Sequence, residues 1–140
     1  LLELWNQEYP AKLCHKDIET FHQYLCDLDH PLHVLLSDPD DQIQGWAFSF
    51  DRDGERWFAI LVSAKAQNQG YGSRLLDVIK SRHYRLSGWV IDHDADSKAD
   101  GTPYKSPLAF YLKNGFEVLG DTRLELEIIS AVKIIWSRSQ

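Results

Sequence analysis

The sequence contains no methionine and only two cysteines, Cys14 and Cys26. A disulfide-dense secreted scaffold is thereby excluded, and without metal-ligand spacing the two thiols read as reduced core residues rather than a bridge. The first residue is Leu1 and not Met, so the chain is expected to begin inside a longer protein. No apolar run approaches the roughly 18 residues that span a bilayer, and the opening residues are not expected to be a leader peptide. Basic residues are the minority, 15 against 21 acidic ones. The resulting charge of −6 excludes a general nucleic-acid binder, which needs a basic face. Repeats, low-complexity tracts and interdomain linkers are also missing. The expectation is one cytoplasmic domain, since a chain of this length buries roughly 70% of its unfolded surface.

Periodicity supplies the elements. "LLELWNQEY" carries apolar residues at helical spacing (Leu1, Leu4, Trp5, Tyr9) and is closed by Pro10. A second helix is expected in "HKDIETFHQYLCDLD", with Ile18, Phe21, Leu25 and Leu28 on one face. Leu32 to Leu36 read as a short strand. "IQGWAFSF" and "RWFAILVS" read as a hairpin, because Asp53-Gly54 between them suits a tight turn. Trp46, Phe48 and Phe50 share one face of the first strand. Trp57 to Val62 are apolar throughout, as in a central strand covered on both sides. From Gly70 the period becomes helical, with a stripe of Tyr71, Leu75, Val78 and Ile79. Gly88 to Asp92 read as another buried strand. Ser106-Pro107 starts a last helix, with Ser106 as cap and Pro107 in the first turn, and Gly115 ends it. "FEVLG", "LELEI" and "AVKIIW" complete the chain as three antiparallel strands. This order predicts an α/β domain with a mixed sheet.

"AKAQNQGYGSRLL" lies between a buried strand and a helix. Glycines there expose amide N–H groups beside the positive end of the helix dipole, which suits phosphate oxygens. The run lacks the G-x-x-x-x-G-K-[ST] of a nucleoside-triphosphate loop. It also fails the dinucleotide pattern G-x-G-x-x-G, since Leu75 stands where a third glycine is required. What remains is Gln67-x-x-Gly70-x-Gly72, followed about forty residues on by "FYLKNGF". In these residues, and across roughly 43–120, the chain resembles the GNAT (GCN5-related) N-acetyltransferases, whose signature is [QR]-x-x-G-x-[GA].

The resemblance implies a single-domain acetyltransferase (GNAT-like) fold over residues 1–140, with a mixed central sheet flanked by helices. The family usually opens with a strand before its first helix; none is legible here, so that strand is expected to be missing. Acetyl-CoA is the implied donor. The backbone of Leu61 and Val62 would pair with its pantetheine arm. The amides of Gln67, Asn68, Gln69, Gly70, Tyr71 and Gly72, with Ser73 and Arg74, would hold its pyrophosphate. Lys65 stands nearby, either as a further cation or as a solvated side chain.

The resemblance also implies direct attack by an amine in a ternary complex, with Tyr111, four residues before Gly115, protonating the departing thiolate. A phenol of pKa ~10 can serve a thiolate whose conjugate acid titrates near ~8.5. A main-chain N–H, that of Leu61 for instance, would polarise the carbonyl. The family often has Asn then Ala at the start of this helix, where Ser106 and Pro107 stand. Asp92, His93 and Glu55 are candidate bases, beside deprotonation through water. A non-catalytic acyl-CoA-binding sensor or scaffold is the alternative reading. A homodimer is compatible with the apolar C-terminal strands and the family.

"DHDADSKADG", Asp92 to Gly101, starts like a calcium loop but has Ser97 where glycine is needed and Pro103 where a bidentate glutamate is needed. No metal is expected. The stretch reads either as a solvated loop or as an acidic border that attracts a small cationic amine acceptor.

Overall fold

The computed structural model describes residues 1–138. Two short helices come first, α1 (Leu2–Glu8) and α2 (Ile18–Cys26), joined through a 3-10 turn at Ala11–Leu13. Asp17 starts α2 by accepting the Thr20 N–H at 2.8 Å. Then follow β1 (Asp29–Ser37), β2 (Ile43–Arg52), β3 (Glu55–Val62), α3 (Tyr71–Ser81), β4 (Arg85–Val90), α4 (Leu108–Lys113), β5 (Glu117–Leu126) and β6 (Ile129–Ser137). The strands form one sheet in the order β1-β2-β3-β4-β6-β5. All neighbours are antiparallel except β3 and β4, which are joined by the crossover through α3. This is the mixed α/β architecture that the element order predicts.

The period-2 pattern of β2 divides the core. Trp46, Phe48 and Phe50 point to one face, where ring centroids of the first two lie 4.5 Å apart and Leu4, Trp5 and Phe21 of α1 and α2 cover them. Ala47 points to the other face, beneath Leu75, Leu76 and Ile79 of α3 and beside Tyr111 and Phe116. Strand β3 is covered from both sides, as its apolar run requires.

Several boundaries differ from the expectation. The buried stripe of α3 is Leu75, Leu76 and Ile79, while Val78 is exposed, because the sheet meets the helix on its Leu76 side rather than its Val78 side. Ile18 is exposed at the first turn of α2, where the helix overhangs the sheet. Cys14 is half-buried and Cys26 exposed, both as free thiols, so neither is a core residue. "FEVLG" and "LELEI" are one strand, β5, with an irregular register between Leu119 and Arg123. An irregularity of this kind lets a strand absorb Gly120, Asp121 and Thr122 without ending. Strand β4 stops at Val90, leaving Asp92 in the following loop.

The end of α4 follows expectation. Gly115 takes φ +86°, the N–H of Phe116 returns to the Tyr111 carbonyl at 3.1 Å, and that of Gly115 to Leu112 at 3.3 Å. This paired return closes the helix and turns Phe116 back onto Tyr111.

Candidate active site

Strands β3 and β4 share a single register pair, Trp57 with Ser87, near the start of both strands. Beyond it they separate toward their C-terminal ends, Val62 and Val90. The ring of Phe58 fills the narrow part of the gap against Gly88, where a Cβ would meet its Cε1 at 2.8 Å. Above this plug the sheet offers unpaired β3 backbone, and the chain leaving β3 turns directly into α3.

Gly70 caps α3 in the left-handed conformation, φ +80°, and Asn68 precedes it at φ +64°. These reversals turn successive N–H groups the same way. Among the described residues, the N–H groups of Asn68 to Ser73 have no acceptor; the first helical bond of α3 is from Arg74 N–H to Gly70 carbonyl at 3.2 Å. That is the concentration of unsatisfied donors which a helix start provides for an anion. Gly72 has a different reason to lack a side chain. A Cβ there would lie 3.1 Å from Cζ of Phe110, so α4 packs its ring directly on the first turn of α3. Arg74 lies 5.8 Å from the Tyr71 ring centroid.

Gln67 and Gln69 are exposed and fold their side-chain amides back onto nearby backbone. Gln67 Nε2 donates to the Val62 carbonyl at 2.9 Å and Gln69 Nε2 to the Lys65 carbonyl at 3.2 Å. The amide of Gln67 thus covers backbone of β3 that sequence reading left free for a ligand. Leu61 is buried toward α1 and α2, and Val62 is half-buried against the α3 side.

Tyr111 stands at the gap. It is buried, edge-on to Phe58 at 5.7 Å and Phe116 at 5.5 Å. Its hydroxyl makes no hydrogen bond to a described residue, and no fully buried side-chain oxygen is left unpaired among them, so this oxygen keeps an opening to solvent. Burial pushes its pKa well up, and the neighbouring Tyr104 phenol adds to this. Tyr104 is itself pushed up to about 12, by burial and then by the Asp96 carboxylate. Tyr9 of the α1 end is raised by burial, then by Tyr104 and Tyr111. Three phenols from separate parts of the chain thus lie within electrostatic reach of one another, of which the sequence singles out only Tyr111 as a site residue. Tyr9 and Tyr104 lie outside any local motif, and no spacing signals them.

The acidic stretch is a small ordered hairpin rather than a free loop. Ser97 pairs with Pro103, and the Lys98 N–H donates to the Thr102 carbonyl at 2.8 Å. Its carboxylates have protein partners. Asp92 accepts both guanidinium arms of Arg123, at 2.8 and 3.0 Å, and those bonds hold its carboxyl below the usual carboxylate range. Asp94 accepts the Ser106 N–H at 2.8 Å, and Asp100 caps Thr102 at 2.9 Å. Asp96 lies 3.9 Å from both Lys12 and His93. His93 Nδ1 accepts the Ala95 N–H at 3.1 Å. No group of three or more potential metal ligands occurs among the described residues. The start of α4 departs from expectation: Pro107, with a non-helical ψ of 13°, is itself the N-cap rather than the first helical residue, and Ser106, one position outside, accepts the Leu108 N–H at 3.3 Å.

Glu55 is at the opposite end of β3, roughly 23 Å from Val62 at ~3.3 Å per residue. There it pairs with Lys133 at 2.7 Å. The structure separates it from the candidate site. In its place stands Glu8, buried at the end of α1, which accepts the Ala64 N–H at 3.1 Å and Lys98 Nζ at 3.0 Å.

Comparison with known proteins agrees with this architecture. The model of the acetyltransferase (GNAT) domain matches residues 29–118, and the chain belongs to that family. A comparison with curated protein sequences gives no match. Among solved structures, one assigned as a phosphinothricin N-acetyltransferase superimposes with a TM-score of 0.70 at 14% identity, covering 100% of this chain and 92% of that one. The ribosomal-protein-alanine N-acetyltransferase of Brucella melitensis gives 0.64 at 16% identity, over 98% and 91% of the two chains. The ribosomal-protein-S18-alanine N-acetyltransferase of Escherichia coli gives 0.61 at 17%, over 99% and 87%. Identities this low speak for the fold alone. No helix among the described residues is long and apolar enough to cross a membrane.

Proposed function

We propose that this member of the GNAT family transfers an acetyl group from acetyl-CoA to a primary amine, by direct attack in a ternary complex. The observation that carries the reading is the gap between β3 and β4, with unpartnered N–H groups at one side and the Tyr111 ring against Phe58 at its narrow part. The pyrophosphate would lie on the N–H groups of Gln67 to Ser73, with Arg74 as counter-charge. The pantetheine arm would pair with the backbone of Leu61 and Val62, displacing the Gln67 amide from the Val62 carbonyl. A β3 N–H would hold the carbonyl oxygen as it gains charge.

The neutral amine attacks the thioester carbonyl, the C–S bond breaks, and Tyr111 gives the thiolate its proton. Burial keeps the Tyr111 phenol protonated at every working pH. The thiolate leaving beside the largely apolar cluster around Tyr111 would have its proton affinity raised alongside. The amine's proton leaves through water toward His93, while Asp92, bound to Arg123, braces the base of the hairpin. The acceptor is a small cationic amine approaching beside that hairpin. The test is release of free thiol from acetyl-CoA with a panel of primary amines, with mass spectrometry of the products. Acetyl-CoA binding without thiol release for any amine would favour a non-catalytic acyl-CoA module instead.

A further inference from the structure

Glu8 has no part in the chemistry above, yet three elements converge on it. Its side chain is 8% exposed. One carboxylate oxygen accepts the N–H of Ala64, the residue that opens the turn into the glycine loop, at 3.1 Å. The other accepts Lys98 Nζ at 3.0 Å and has a longer contact, 3.4 Å, with Gln67 Nε2. Lys98 belongs to the Ser97–Pro103 hairpin, and its side chain is only 19% exposed. The chain just after Glu8 is fastened to the same hairpin: Pro10 bridges to Lys98, and the Ala11 N–H donates to the Ser97 carbonyl at 2.7 Å. Between glycine loop and hairpin, Glu8 is the common acceptor.

A carboxylate this buried is stable only while its partners stay, because an unpaired charge out of water is strongly unfavourable. The three groups therefore move together or not at all. Gln67 adds a lever. Its amide now bonds the Val62 carbonyl at 2.9 Å and touches Glu8 only weakly. A ligand amide arriving at Val62 releases Gln67, whose remaining acceptor is Glu8.

We propose that Glu8 is a positioning residue, tying the hairpin on the acceptor side to the loop that takes the coenzyme, so that acetyl-CoA binding orders the hairpin. This rests on the coenzyme reading given above. Acetyl-CoA fills its own site first, Gln67 closes onto Glu8, and the Glu8–Lys98 pair holds the hairpin in place for the amine.

Hydrogen exchange with and without acetyl-CoA, read by mass spectrometry, tests this without knowledge of the acceptor. In the unaltered protein, acetyl-CoA slows exchange in the glycine loop and also at the hairpin amides of Lys98, Gly101 and Tyr104, which bond within the hairpin. In Glu8→Gln and in Lys98→Met the loop is still slowed, but the hairpin's gain falls by about fivefold or more, a usual size for coupling between sites. The double variant loses no more than either single one, and Lys98→Arg keeps the gain. A merely structural role would change exchange without ligand and leave the ligand-dependent difference intact. An unchanged hairpin gain in Glu8→Gln overturns the proposal, as does protection of the loop alone in the unaltered protein. Protection of neither segment removes the coenzyme reading, and this inference with it.

Discussion

At the end of the sheet where β3 and β4 begin, the part-buried charges of Glu55, Arg56 and Lys133 are each answered by another protein group. Glu55 accepts both bonds of Lys133, at 2.7 and 2.8 Å, and the Ser87 hydroxyl at 3.0 Å. Arg56 donates twice to the fully buried Ser49 hydroxyl, once to the His30 carbonyl at 2.7 Å, and once to Asp51 at 3.1 Å. At the other end, where the same strands stop, a row of N–H groups at the start of α3 is left without partners among the described residues, and the Tyr111 ring stands edge-on to Phe58. Both ends contain polar groups near a closed core, and only one satisfies them internally. Where strands stay paired, water is excluded and an unmet donor would be costly. Where they separate, donors can be left for something that arrives. Incomplete hydrogen bonding, more than charge, distinguishes the site from the scaffold here.

The largest expected effect comes from removing the Tyr111 hydroxyl. Tyr111→Phe should lower turnover by roughly 10²-fold or more, the usual size for loss of a general acid, while acetyl-CoA binding by calorimetry stays within about twofold. A variant that turns over normally takes Tyr111 out of the reaction. Next is the loop that presents the N–H groups. Gly70→Ala places a side chain at φ +80°, costing about 1–2 kcal/mol. The loop relieves that strain by losing its shape, so the affinity for acetyl-CoA should fall about tenfold. An unchanged affinity would mean that the loop's geometry is not what binds.

The closed end should respond in stability and not in activity. Lys133→Met leaves Glu55 with the Ser87 hydroxyl alone, and a melting temperature lower by roughly 2–4 °C with unchanged kinetics is expected. A kinetic effect instead would connect the two ends.

The smallest effect is a pH dependence at the same end. Burial, then the Arg56 charge, hold the His83 pKa below its ordinary 6.5. Arg56 can only donate, so Ser49 accepts from it and turns its own hydrogen to His83 Nε2, 3.2 Å away. Above pH ~6.5 both folded and unfolded chains have neutral His83 and this contribution is intact. As pH falls below that, the unfolded chain takes up a proton that the folded one resists, so stability declines toward the folded pKa. His33, lowered by burial, adds to the same window. Thermal melts from pH 7.5 to 5 should show the decline, and His83→Gln should flatten part of it.

Legibility in the sequence followed the range of the interactions. The Asp53-Gly54 turn, the Gly115 helix end and the alternation of Trp46, Phe48 and Phe50 depend on neighbours in the chain, and each formed as its pattern predicts. The buried face of α3 went partly astray, because which of Val78 and Leu76 turns inward depends on the angle at which the sheet meets the helix. Gly72 was legible as a small residue in a turn, but its reason, the Phe110 ring at 3.1 Å, lies 38 positions along the chain. Asp92 looked like a base at a strand end; nothing local to it announces Arg123.

Taken alone, the sequence determined the order of helices and strands, the glycine loop between a central strand and a helix, and Tyr111 on the last helix. These are matters of periodicity, turn chemistry and spacing, which a chain carries along its own length. Only the tertiary structure decided that β3 and β4 part beyond Trp57 and Ser87. It alone brought Tyr9, Tyr104 and Tyr111 together and placed Glu8 between the glycine loop and Lys98. Those contacts join residues tens of positions apart, and they exist because a buried carboxylate or phenol takes whatever partner the packed elements bring within reach.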